Sequence, residues 1–206
     1  MVHDHGLENV LVLQGGGSLG AFGCGVFKAF AERNVNIDIV GGTSIGGVNA
    51  AIIAGNKDGR PEAALEEFWM DLAENSVDLE SLWSSSLGNN GQRGYPGPYF
   101  EKANMSLKHA LTFYSSAAFG NNKMFLPRWM PEYLAKDSQY FRPDLWTYIY
   151  DHSPLASTLE KYIDYDKLRP GGKNPNARLI ITAVNVLTAE PLTFDSMRQP
   201  ITVKHL

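Results

Sequence analysis

The apolar positions of the first sixty residues come in two rhythms. Val10–Gln14 is a continuous, β-branched apolar run that ends at three glycines, which predicts a buried parallel strand. After Gly17, the residues Leu19, Phe22, Val26, Phe27 and Phe30 recur at helical spacing, predicting a helix to about Arg33. Small residues at Gly20, Gly23, Cys24 and Gly25 let that helix lie close against a sheet. Ile37–Val40 predicts a second short strand, and Ile45–Ala54 a second helix with Gly55 as its stop. Pro61 opens a third helix, amphipathic through Ala64, Leu65, Phe68, Trp69 and Leu72. Strand, helix, strand, helix in that order predicts an α/β fold, a parallel sheet with helices on both faces.

The middle of the chain follows neither rhythm. Ser84–Gly97 is polar and turn-rich, and from Tyr95 to Tyr150 aromatics and methionines are broken into short pieces by prolines and glycines. Residues 84–152 are expected to form an aromatic-rich helical insertion capping one edge of the sheet, within a single domain spanning 1–206. Ser153-Pro154 reads as a cap followed by proline at the first helical position, starting a helix over Leu155–Ile163. Gly171–Asn176 is a loop. Arg178–Val186 is the strongest strand signal in the chain, and a turn near Thr188–Glu190 returns it to Pro191–Phe194 as an antiparallel edge hairpin.

Composition narrows the function classes. The chain has 206 residues, 44% hydrophobic and 19% charged, with a net charge of −4, so no basic surface recommends a nucleic-acid partner. Its single cysteine, Cys24, can form no intrachain disulfide and reads as a packing residue. No apolar run reaches the roughly 18–20 residues that span a bilayer, and the N-terminus lacks a secretory pattern. A cytoplasmic or peripheral-membrane location is expected. His3 and His5 lie at the terminus, and no spacing resembles a structural zinc site.

Candidate chemistry sits at the two glycine-rich corners. Gly42-Thr43-Ser44-Ile45-Gly46 matches the nucleophile-elbow pattern, in which a serine on a tight strand-to-helix turn projects its hydroxyl into open space. Gly42 and Gly46 let the neighbouring backbone approach, and the following helix aims its amides at charge developing near Ser44. The bland alternative is a glycine-rich corner with Ser44 as a helix cap. Gly15–Gly20 has two readings: amides that hold a substrate oxyanion, or the dinucleotide-binding fingerprint. The second wants an acid near the end of the second strand, whereas Asp38 falls inside that strand, and it leaves Ser44 unexplained.

The stretches "LVLQGGGSLGAFGCGVFKAF" and "VGGTSIGGVNAAIIAG" together resemble the patatin-like phospholipase family, and "ITAVNVLTAEPLTFD" with "PITVKHL" is similar to its later core. The resemblance implies lipid acyl hydrolysis by a Ser–Asp dyad on a three-layer α/β fold. By motif match Ser44 is the nucleophile, and Gly15, Gly16 and Gly17 form the oxyanion hole, joined by the Ile45 amide. No metal or organic cofactor is called for. The implied partners are a lipid or ester substrate and a membrane touched peripherally. One departure is Leu19, where many members carry a basic residue.

The dyad acid is the gap. The single Asp-Gly, Asp58-Gly59, lies beyond the helix that follows Ser44, at its wrong end. Asp195 follows a strand but precedes serine rather than glycine, and a Ser44–Asp195–His205 triad puts the nucleophile too early in the chain. His152 reads as a loop or capping residue. "PITVKHL" reads as a helix start capped by Thr202, so the acid is expected beyond Leu206. Two rivals follow: an inactive lipid-binding or scaffolding relative without the acid, and a dinucleotide-binding module.

Overall fold

In the computed structural model, which describes residues 7–74, 121–172 and 176–206, the chain divides into two compact units. One unit comprises Met1–Asp71 and Thr158–Leu206, and the other Leu72–Ser157. The first contains a four-stranded sheet built from β1 (Val10–Leu13), β2 (Ile39–Thr43), β5 (Arg178–Val184) and β6 (Pro191–Asp195), in the spatial order β1-β2-β5-β6. β1 pairs parallel with β2, β2 parallel with β5, and β5 antiparallel with β6. This mostly parallel sheet flanked by helices is an α/β fold, as the sequence pattern implies.

Helix α1 (Gly20–Glu32) is entered through a short 3-10 turn at Gly17–Leu19, a tighter start than the apolar spacing suggests. α2 (Ile45–Ala54) matches its expected span, and all ten of its residues are buried. Its sequence carries no charge, so nothing opposes burial on every side. Leu11, Leu13, Ile39, Val40, Leu179 and Ile181 are the buried apolar side chains of the sheet's strands. α3 (Pro61–Glu74) lays Phe68 edge-on against Trp69 and against Tyr162 of α4 (Ser153–Tyr162).

Three boundaries differ from the sequence expectation, each for a local reason. β2 runs from Ile39 to Thr43 rather than 37–40, because Gly41 and Gly42 stay in register between Val12 and Leu13 on one side and Ile180 and Ile181 on the other. β5 stops at Val184, since Asn185 already begins the turn: its amide donates to the Glu190 carbonyl and its carbonyl accepts from Ala189. α4 starts at Ser153, and the residue that accepts at its start is Asp151, whose Oδ1 takes the Ser153 amide at 2.9 Å and the Ser153 hydroxyl. The end of the chain is a 3-10 turn, Val203–His205, with Thr202 as its cap in a reciprocal arrangement with His205.

The second unit holds a short antiparallel pair, β3 (Leu126–Pro127) and β4 (Tyr150–Asp151). Arg128 is buried there, 2.6 Å from Asp137, with Trp146 and Tyr148 rings stacked on its guanidinium. Of the expected insertion over 84–152, residues 84–120 lie outside the described residues.

Candidate active site at the C-terminal edge of the strands

Because β1, β2 and β5 are parallel, the loops that follow them leave the sheet at one edge. After β1 comes Gly15–Gly17, after β2 comes Ser44, and after β5 comes the hairpin tip at Asn185–Glu190. The strand order therefore sets Ser44 between the other two loops.

Ser44 stands at φ 54°, ψ −131°, a backbone conformation that ordinary side chains rarely adopt. Sterics around it leave no alternative path. A Cβ on Gly42 would meet the Gly46 carbonyl oxygen at 2.1 Å, and one on Gly46 would meet the Leu13 carbonyl oxygen at 2.2 Å. Both positions require glycine for close backbone approach, whatever their torsions. The corner is thus a place where β1, β2 and α2 touch backbone to backbone.

The Ser44 side chain is exposed, and it makes no capping hydrogen bond to α2 although it occupies the cap position. Ser44 is thus the cap of α2 by position, and its hydroxyl takes no part in the capping. The Ser44 carbonyl accepts from Gly47 and Val48, so the Ile45 and Gly46 amides precede the first bonded turn. Gly15 faces the serine: a Cβ there would lie 3.2 Å from Ser44 Cβ and 3.8 Å from Ser44 Oγ. Gly16 and Gly17 have φ 133° and 57°, and among the described residues no turn or loop hydrogen bond takes up the amides of Gly15, Gly16 or Gly17. An uncapped hydroxyl therefore stands beside two sets of unengaged backbone donors.

The candidate acids lie elsewhere. Asp195 pairs with Ile180, whereas Ser44 follows Thr43, whose partner is Thr182, so Asp195 sits toward the opposite edge of the sheet. Its carboxylate is taken by Arg178, with Nε 3.0 Å and Nη2 2.6 Å away, which holds it below the usual carboxylate range. His205 is turned toward Thr202 and rests 4.8 Å from the Phe194 ring. Neither Asp195 nor His205 can complete a triad with Ser44. Asp58 is an exposed loop residue past the end of α2. Among the described residues, no carboxylate or imidazole hydrogen-bonds the Ser44 hydroxyl, and no cluster of three or more His, Cys, Asp or Glu could hold a metal ion.

Sequence reasoning passed over several residues that shape this edge. Thr43 and Thr182 hydroxyls hydrogen-bond across β2 and β5, next to Ser44. Asn49, buried inside α2, donates to the Gly20 carbonyl at 2.8 Å and accepts from Trp69 Nε1 at 3.1 Å. An asparagine in an otherwise apolar helix was the available signal. Cys24 is buried, in keeping with a packing role.

An α/β domain with an exposed serine on a strained strand-to-helix corner, facing a glycine loop from the neighbouring strand, is the class that fold and site define. The patatin-like phospholipase family model matches residues 11–200, and the chain belongs to that family. It is 37% identical over 67 residues to a putative patatin-like phospholipase domain-containing protein of Caenorhabditis elegans, covering 32% of this chain and 6% of that protein. It is also 52% identical over 48 residues to a lysophospholipase of Aspergillus terreus, covering 23% of this chain and 3% of that protein. The matched segments are thus a small part of those relatives' length. Among the described residues, no helix is long and apolar enough to cross a membrane.

Proposed function

We propose that the chain carries the nucleophile half of a serine acyl hydrolase acting on lipid esters. Ser44 Oγ bonds to the ester carbonyl carbon as its proton passes to a carboxylate, and the carbonyl electron pair moves onto oxygen. The amides of Gly15, Gly16, Gly17 and Ile45 hold that oxyanion, a contribution of about 3 kcal/mol per well-placed donor. The tetrahedral intermediate then expels the alcohol, which takes the proton back, and water releases the acid from the acyl-enzyme. Gly42 and Gly46 keep the corner tight enough to present the hydroxyl. The proton acceptor is a residue other than the described ones, and the site works at the periphery of a membrane. Family membership and the phospholipase names of the relatives support a lipid substrate.

One observation carries this reading. The Ser44 hydroxyl is exposed on a positive-φ backbone and caps nothing, an arrangement that costs stability and serves no packing purpose. An alkyl fluorophosphonate tests it: a covalent adduct is expected on Ser44, and none on the Ser44→Ala protein. Equal labelling of both proteins would refute the assignment. The absence of a carboxylate contact to Ser44 among the described residues favours one second reading, a lipid-binding relative that does not turn over; it predicts no adduct.

A further inference from the structure

Among the described residues, four of the most exposed large apolar side chains lie at the edge where Ser44 stands. Val186 and Leu187, each 92% exposed, form the tip of the β5–β6 hairpin. Leu19 and Phe22, 74% and 79% exposed, begin α1 on the other side. The link to the site is direct, since a Cβ on Gly16 would lie 3.4 Å from Leu19 Cδ1 and Gly15 abuts Ser44. β1 and β5 flank β2, so the two apolar projections straddle the serine.

Neither projection serves the core. The hairpin tip is held by backbone bonds, Asn185 to Glu190 and Ala189 to Asn185, and by Asn185 Oδ1 accepting from Leu187 at 2.9 Å. Polar residues would satisfy such a tip equally well, so two aliphatic side chains in open solvent call for a ligand. Charge narrows what that ligand is. Gly15–Phe27 and Thr182–Ala189 contain no Asp, Glu, Lys, Arg or His, the one charge of the tip is the anionic Glu190, and the next cation, Lys28, is already paired with Glu66 at 2.7 Å. A surface recognised by these residues offers hydrocarbon rather than charge.

We infer that Leu19 with Phe22, and Val186 with Leu187, form a split apolar rim that inserts into a zwitterionic lipid surface and brings Ser44 to it. The inference rests on the lipid-ester reading of the site. Each buried methylene adds to attachment, while a rim without a cation gains nothing from anionic head groups, so salt does not weaken its binding.

Flotation of the full chain carrying Ser44→Ala with phosphatidylcholine vesicles tests this without hydrolysing them. Binding is expected to be equal at about 0.1 and 1 M salt. The Val186→Ser/Leu187→Ser pair and the Leu19→Ser/Phe22→Ser pair are each expected to lower partitioning about tenfold. Val10→Thr, at the far end of β1, is expected to leave it unchanged. A Val186→Cys chain labelled with an environment-sensitive dye, Cys24 being buried, should shift to the blue on adding vesicles. No flotation, flotation lost at high salt, or an equal loss with Val10→Thr would overturn the inference. So would a blue shift that grows with protein concentration alone, which would mean that a second copy covers the rim. Hydrolysis of a soluble short-chain ester by the unsubstituted chain, measured separately, keeps the two readings apart. Hydrolysis without flotation overturns the rim alone, and flotation without hydrolysis overturns the enzymatic reading alone.

Discussion

Arg178, the first residue of β5, grips Asp195, the last of β6, through two parallel hydrogen bonds of 3.0 and 2.6 Å. The carboxylate is buried and also accepts from the Met197 amide at 3.0 Å, so it closes the hairpin at the edge away from Ser44. Charge-assisted bonds of this kind are each strong, and leaving the carboxylate without its partner is costly. Arg178→Gln is expected to lower stability at neutral pH, read as a lower urea midpoint.

The same pair sets a pH dependence. Arg178 holds the Asp195 carboxyl below its ordinary range, so its folded pKa is depressed relative to the unfolded chain. The resulting stabilisation is complete above the unfolded value of about 4 and is lost as pH falls through the folded one. Urea unfolding should therefore show the gap between the parent chain and Arg178→Gln narrowing below about pH 4. A gap constant down to pH 2 would contradict the ion pair as its origin.

Ser44 occupies a conformation suited to glycine. Ser44→Gly is expected to stabilise the fold by about 1 kcal/mol, which for a chain of this size raises Tm by about 2–4 °C, while abolishing fluorophosphonate labelling. A lower Tm would mean that the hydroxyl contributes structurally after all.

At Gly46 the outcome runs the other way. An added methyl has only the Leu13 and Gln14 carbonyls to move, at 2.2 and 2.6 Å, and neither is a flexible side chain. Gly46→Ala is expected to cost about 3 kcal/mol or more, read as a loss of soluble expression or a fall in Tm of about 10 °C.

Asn49 ties α1 to α3 through α2, and it is buried. Asn49→Leu preserves the volume but strands the Trp69 indole N–H and takes a second donor from the Gly20 carbonyl. A loss of about 2 kcal/mol is expected, with a change in tryptophan emission as the indole loses its acceptor. Emission identical to the parent's would argue that the indole finds another partner.

The two glycine corners and the helices after them were legible because their signals are local. A β-branched run that breaks at glycines, followed by apolar spacing of 3.6, leaves few alternatives. The end of β2 was less legible, since Gly41 and Gly42 look like turn residues and are strand residues only because Val12, Leu13, Ile180 and Ile181 lie beside them. The place of Asp195 depended on β5–β6 register, and a shift of a few residues in pairing would have carried it toward the other edge. Val186 reads as the last residue of a strong strand, and only the closure of the turn at Asn185 makes it and Leu187 a tip.

Complete burial of α2 fixes where such a chain is free to vary. A strut enclosed on all sides tolerates no enlargement, so changes of shape around the exposed corner are confined to the loops that meet it.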